Sequence, residues 1–132
     1  MDWLDFRGLV IDNLTDDLLT PKYRRMKKKS KLPNTFGHCY VASEAAYYIL
    51  GGKEESWKPM HMTHLGASHW FLKHESGFIL DLTGSQFKTP LDYSEARGVG
   101  FLTKEPSKRA KKLLIRIRES TRLSNLKKSV RP

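Results

Sequence analysis

The chain of 132 residues contains one cysteine, Cys39, and it stands where the loop "NTFGHC" turns into the apolar run "CYVASEAAYYILGG". A helix start presents backbone N–H groups and the positive end of the macrodipole, and both favour a thiolate placed there. A thiolate nucleophile needs a histidine to move its proton, and that histidine needs a partner to orient it. His69 in "SHWFLKH" and Asp81 in "GFILDLT" are the candidates. A lone cysteine at the start of a buried helix also serves as a small core residue, and a histidine beside a tryptophan as a satisfied core group. Asp81 is harder to explain structurally, because a carboxylate inside an apolar strand is costly unless it is paired.

Strand parity tests the pair, since directly opposed residues of an antiparallel ladder share a face and faces alternate along each strand. If Lys73 faces Gly77, His69 faces Asp81 directly. If Glu75, Ser76 and Gly77 form the loop, with Gly77 in a left-handed bulge position, the two become diagonal neighbours on one face. A two-residue Glu75-Ser76 turn would separate them, but neither residue tolerates the positive φ which that turn requires.

The elements that must position these groups follow from hydrophobic spacing. Leu9, Val10, Leu14 and Leu18 predict a helix within residues 2–19, broken near Asn13 and ended by Pro21. The basic "KYRRMKKKSK" and Pro33 predict an exposed connector over 22–33, with helix disfavoured at Leu32. A nearly all-round apolar helix then runs from Cys39 to a stop at Gly51-Gly52. Three strands are expected at 60–65, 68–74 and 77–83, forming an antiparallel meander with short turns at Gly66-Ala67 and Glu75-Ser76-Gly77. Residues 84–103 form a long irregular segment, which Phe87, Tyr93 and Phe101 are expected to fasten across the sheet. Ser107 caps a basic amphipathic helix with Ala110, Leu113, Leu114 and Ile117 on one face. The fold class is α+β in a single domain: a small antiparallel sheet on a central helix that begins at the cysteine, flanked by a basic helix. Within it, 34–103 is the core and 104–132 the basic C-terminal helix and tail.

The net charge of +10 is concentrated at the flanks: seven Lys or Arg lie between Lys22 and Lys31, and eleven between Lys104 and Arg131. Residues 32–103 hold five bases and seven acids. Arg24, Arg25, Lys27, Lys28 and Lys29 on one side, and Lys108, Arg109, Lys111 and Lys112 on the other, are candidates for holding nucleic-acid phosphates or an acidic protein. A solvated surface accounts for them equally well. No apolar run approaches the roughly 20 residues that span a bilayer, and Asp2 and Asp5 replace a basic leader region, so a soluble cytoplasmic protein without a membrane partner is expected. The five histidines and the cysteine lack CxxC or HExxH spacing, and His61 and His64 fall on opposite faces of one strand. Neither metal nor cofactor is expected.

The order of Cys at a helix start, His on a strand and Asp on the next strand, with Trp70 beside the His and "DLT" around the Asp, resembles the transglutaminase-like branch of the papain-like cysteine enzymes. The resemblance covers residues 34–87. It implies a papain-like core in which Cys39 is the nucleophile, His69 the general base and acid, and Asp81 the orienting carboxylate. Acyl transfer or amide hydrolysis would then proceed through a thioester. The aromatic common two residues after the family's His is here both Trp70, directly adjacent, and Phe71, and the His-to-Asp gap and the chain are short for the family. Such enzymes take a second oxyanion donor from a side-chain amide upstream, which points to Asn34; Gln86 is the alternative, and Trp70 the aromatic candidate beside a substrate. Two other functions stay open. One is a non-enzymatic module gripping phosphates through the basic flanks, and the other a protein that associates through its C-terminal helix.

Overall fold

The computed structural model describes residues 2–30, 35, 37–101 and 103–129, with side chains as far as Leu123. These form a mixed α+β arrangement with four α-helices and a small four-stranded antiparallel sheet. Helix α1 (Trp3–Asp12) is started by the Asp2 side chain, which accepts from the Asp5 N–H at 2.8 Å. It stops at Asn13 as the spacing predicts, and a single 3-10 turn, Asp16–Leu18, follows.

Pro21 does not end a helix; it opens α2 (Pro21–Ser30). Proline fits a first helical turn because its missing N–H is not needed there, and Lys, Arg and Met are good helix formers, so the basic segment read as a connector is helical. It buries no residue, in keeping with its exposed character. The end of that segment, including Leu32, Pro33 and the candidate Asn34, lies outside the described residues.

Helix α3 (Cys39–Ile49) begins at the cysteine itself and stops before Gly51. Strands β1 (Trp57–His64) and β2 (Ala67–His74) form a long hairpin whose register pairs Met62 with His69 and His61 with Trp70. Its turn is Leu65-Gly66, one residue earlier than expected, both with positive φ. Strand β3 covers only Ile79–Leu80 and pairs with Lys73 and Leu72. Gly77 adopts φ +96° in the loop before it, which realises the diagonal register for His69 and Asp81. The third strand is shorter than expected because the Asp81 carboxylate accepts from the Thr83 N–H at 3.3 Å, a local turn that takes the backbone out of the ladder. An unforeseen fourth strand, β4 (Arg97–Gly98), pairs with β1, giving the order β3-β2-β1-β4.

One face of the sheet, with Leu72 and Leu80, packs on the helices, where Val10, Leu18, Val41 and Ala45 meet Leu113. Each fully buried leucine there contributes roughly 1.5–3 kcal/mol. The other face, with Met60, Met62 and Phe71, is covered by Tyr93, Leu91 and Ala96 of the irregular segment. Helix α4 (Lys108–Ser129) lies along α3 with Ala110, Leu113 and Ile117 buried. Its start is tied to α3 by Glu44, a fully buried carboxylate whose two oxygens accept from the Ser107 N–H and Oγ–H, each at 2.7 Å. Ser107 Oγ in turn accepts from the Ala110 N–H at 3.2 Å, the expected cap. Arg116 and Lys112 pair with Asp17, and these contacts, Arg116 first, hold the Asp17 carboxyl well below the usual carboxylate range. Among the described residues no helix is long and apolar enough to cross a membrane.

Candidate active site

The turn into α3 is built to present the cysteine. Gly37 has φ +73°, and a Cβ there would stand 2.9 Å from Leu19 Cδ2, so a side chain is excluded by both backbone and neighbour. The next residue, His38, is fully buried with Nε2 3.0 Å from the Thr15 carbonyl oxygen, which fastens the approach to Cys39 onto the loop after α1. Cys39 is 8% exposed and donates weakly to the Ser68 carbonyl at 3.9 Å, immediately before His69. As the first residue of α3, its amide N–H has no helical carbonyl to serve.

Because β3 reaches only Lys73 and Leu72, the start of β2 is open on that side to the first turn of α3 and to the 3-10 turn Gly84–Gln86. His69 sits in this opening. Its side chain is fully buried, its Nε2 lies 2.7 Å from Asp81 Oδ2, and the Asp81 side chain is only 6% exposed. The same carboxylate oxygen accepts from Tyr93 Oη at 2.7 Å. Phe87 meets the imidazole edge-on at 4.9 Å and Phe71 stacks at 6.1 Å, so two of its sides are apolar. Burial by itself would keep this histidine neutral; the hydrogen bond to Asp81 and its negative charge, with a further contribution from nearby Cys39, outweigh it and push His69 up to about 9.

Gln86 completes the cluster. Its Oε1 accepts from the Gly37 N–H at 3.3 Å and its Nε2 lies 3.3 Å from His69 Nδ1. With a neutral ring, Nε2–H donates to Nδ1; with a protonated ring, Nδ1–H is itself a donor and the amide protons are released for another acceptor. Of the two amides considered from the sequence, Gln86 is thus brought to Cys39 and His69.

Cys39 opens onto a cavity of about 330 Å³, walled by Tyr23, Tyr40, Trp70, Gln86 and Phe87. No protein-family model, curated protein or solved structure matches the chain. What the site can do therefore rests on its own geometry: a thiol at a helix start, a doubly engaged imidazole, a buried carboxylate and a side-chain amide around a small aromatic-walled cavity. Trp70 lies on the opposite sheet face from His69, stacked on Phe101 at 5.7 Å and touched edge-on by Tyr40 at 4.9 Å, and reaches the cavity from its rim.

The basic candidates divide. On α2, Arg25, Lys28 and Lys29 are exposed, Arg24 donates to the Leu19 carbonyl at 3.1 Å, and Lys27 pairs with Asp16 at 2.5 Å. On α4, Lys108, Lys111 and Lys112 are exposed, whereas Arg109 is half-buried and lines the cavity. Sequence reasoning had no role for Tyr93 beyond fastening a loop, and none for Tyr23 and Tyr40. Their one signal was aromatic character, Tyr23 within a basic stretch and Tyr40 directly after the cysteine. His61, His64 and His74 are dispersed, against Trp70, Thr89 and Ser76 respectively.

Proposed function

We propose that the protein is a thiol-dependent hydrolase or acyltransferase acting on an amide-type bond, built on a small, divergent papain-like and transglutaminase-like core. The observation that carries this reading is that buried His69 is paired with Asp81 through Nε2 and faces Gln86 through Nδ1, while Cys39, hydrogen-bonded to the carbonyl of the preceding Ser68, opens onto the cavity that Gln86 also lines. For reaction His69 takes the Cys39 proton, and the imidazolium that forms is stabilised by Asp81 on Nε2. The thiolate attacks the acyl carbon, and the carbonyl electron pair moves onto oxygen. The Cys39 N–H and the Gln86 amide are the donors within reach of that oxyanion. As the intermediate collapses, His69 Nδ1–H protonates the departing amine and a thioester remains on Cys39. The now neutral imidazole takes a proton from water or an acceptor amine, which attacks the thioester and returns the thiolate.

The test is acylation by an activated ester. Incubation with p-nitrophenyl acetate followed by intact-mass and peptide analysis should give one acetyl group per chain, on Cys39, turning over with time. Absence of any acetyl on Cys39 in the folded protein would reject the reaction.

A second reading has its own observation. Helix α2 carries six Lys or Arg and buries nothing, the profile of a surface that meets a polyanion. Binding to mixed DNA or RNA that weakens steeply with salt and is indifferent to Cys39→Ala supports it, and no binding at low salt refutes it.

A further inference from the structure

Arg109 is the one charged side chain lining the cavity among the described residues, and it is placed as a receptor for a charge the protein does not itself supply. Lys27 is paired with Asp16, Lys112 and Arg116 are paired with Asp17, and none of these, nor Arg24, lines the cavity among the described residues. Arg109 has no carboxylate at ion-pair distance among the described residues; its Nη1 donates to the Leu18 carbonyl at 2.9 Å. Glu44, the acid held at the start of the same helix, is occupied at both oxygens by Ser107. A guanidinium has five N–H donors, and this one is anchored by a neutral carbonyl while half-buried beside aromatic walls. A cation desolvated in this way attracts an anion more strongly than a solvated lysine does.

We infer that Arg109 binds a carboxylate on the acyl substrate, so that the cavity selects an acyl group carrying a negative charge close to the carbonyl that Cys39 attacks. The cavity lies at the small end of the range for ligand sites, about 300–1,000 Å³, which suits a single acidic residue or a short dicarboxylic acyl group. This inference rests on Cys39 being the nucleophile, and it assigns the charge of what that nucleophile meets.

Alkylation of the folded protein by iodoacetate and by iodoacetamide separates the two claims. Both reagents react alike: the thiolate electron pair forms an S–C bond to the methylene carbon and iodide leaves. They differ in the carboxylate, so the ratio of their rates cancels changes in the nucleophile itself. The ratio should exceed that of N-acetylcysteine amide in the same buffer by roughly tenfold, the effect of about 1.4 kcal/mol of charge pairing. Arg109→Gln should bring it back to the reference value and Arg109→Lys should keep part of the gain, with far-UV circular dichroism checking both folds. A wild-type ratio no higher than the reference, or one unchanged in a folded Arg109→Gln, overturns the carboxylate site while fast iodoacetamide labelling leaves Cys39 as nucleophile. Failure of iodoacetamide itself to label the folded chain removes the nucleophile, and this inference with it.

Discussion

Tyr93 donates its phenolic proton to Asp81 Oδ2 across 2.7 Å, onto the oxygen that also meets His69 Nε2 at the same distance. The carboxylate is thereby held from the irregular segment as well as from its own turn, where Thr83 N–H donates to Oδ1. Burial, with the hydrogen bond to Asp81 and its negative charge, raises Tyr93 well above an ordinary phenol, so it stays a donor throughout the working pH range.

Replacing Tyr93 by Phe should therefore cost stability more than chemistry. A hydrogen bond to a charged acceptor is lost, worth about 1.5–3 kcal/mol. Asp81 retains its contacts with His69 and Thr83, so labelling of Cys39 by iodoacetamide should persist. Urea unfolding and alkylation rates on the same samples measure both.

Asp81→Asn should act in the opposite way. The amide keeps the shape of the site but withdraws the negative charge that supports imidazolium, so His69 should titrate below its wild-type value of about 9. Because the folded value lies above the ordinary 6.5, protonated His69 stabilises the fold fully below pH 6.5 and progressively less as pH rises through about 9. Wild-type stability should thus decline across that alkaline interval, and the decline should shrink in Asp81→Asn. NMR titration of the His69 ring, with urea unfolding at each end of the interval, checks both statements.

Glu44 is a structural counterpart, remote in role from the thiol. Glu44→Ala leaves Ser107 N–H and Oγ–H without their acceptor at the start of α4, and should cost about 1–3 kcal/mol. Glu44→Gln, which keeps one acceptor oxygen, should recover part of this. Thermal unfolding of the two variants gives the comparison.

The His69–Asp81 pairing is legible in the sequence because strand alternation leaves few registers and Gly77 selects among them. The end of β3 is not, since the Asp81 side chain competes with the ladder for the Thr83 N–H, and such local bonds follow from geometry that composition does not reveal. Pro21 carries two meanings, helix end and helix start, and the good helix formers that follow it decide for the second. Helix α2 has too few apolar residues to show a period, which is why it reads as a connector. The cap at Ser107 and the stripe through Ala110, Leu113 and Ile117 are visible as local patterns. Arg109 is visible only as one base in a basic run; its place in the wall of the cavity that Cys39 lines depends on α4 packing along α3 and on a bond to Leu18, ninety-one positions away.

The most direct test of the central claim is the pH profile of Cys39 alkylation by iodoacetamide in the wild type and in His69→Gln. If His69 holds the proton and stabilises the charge on Cys39, the folded wild type should react rapidly at pH 6.5 and keep its rate through neutrality. His69→Gln should be slower there by about 10²-fold or more, converging with wild type only at strongly alkaline pH. Superimposable profiles for the two folded proteins would contradict the assignment of Cys39 and His69 as a catalytic pair.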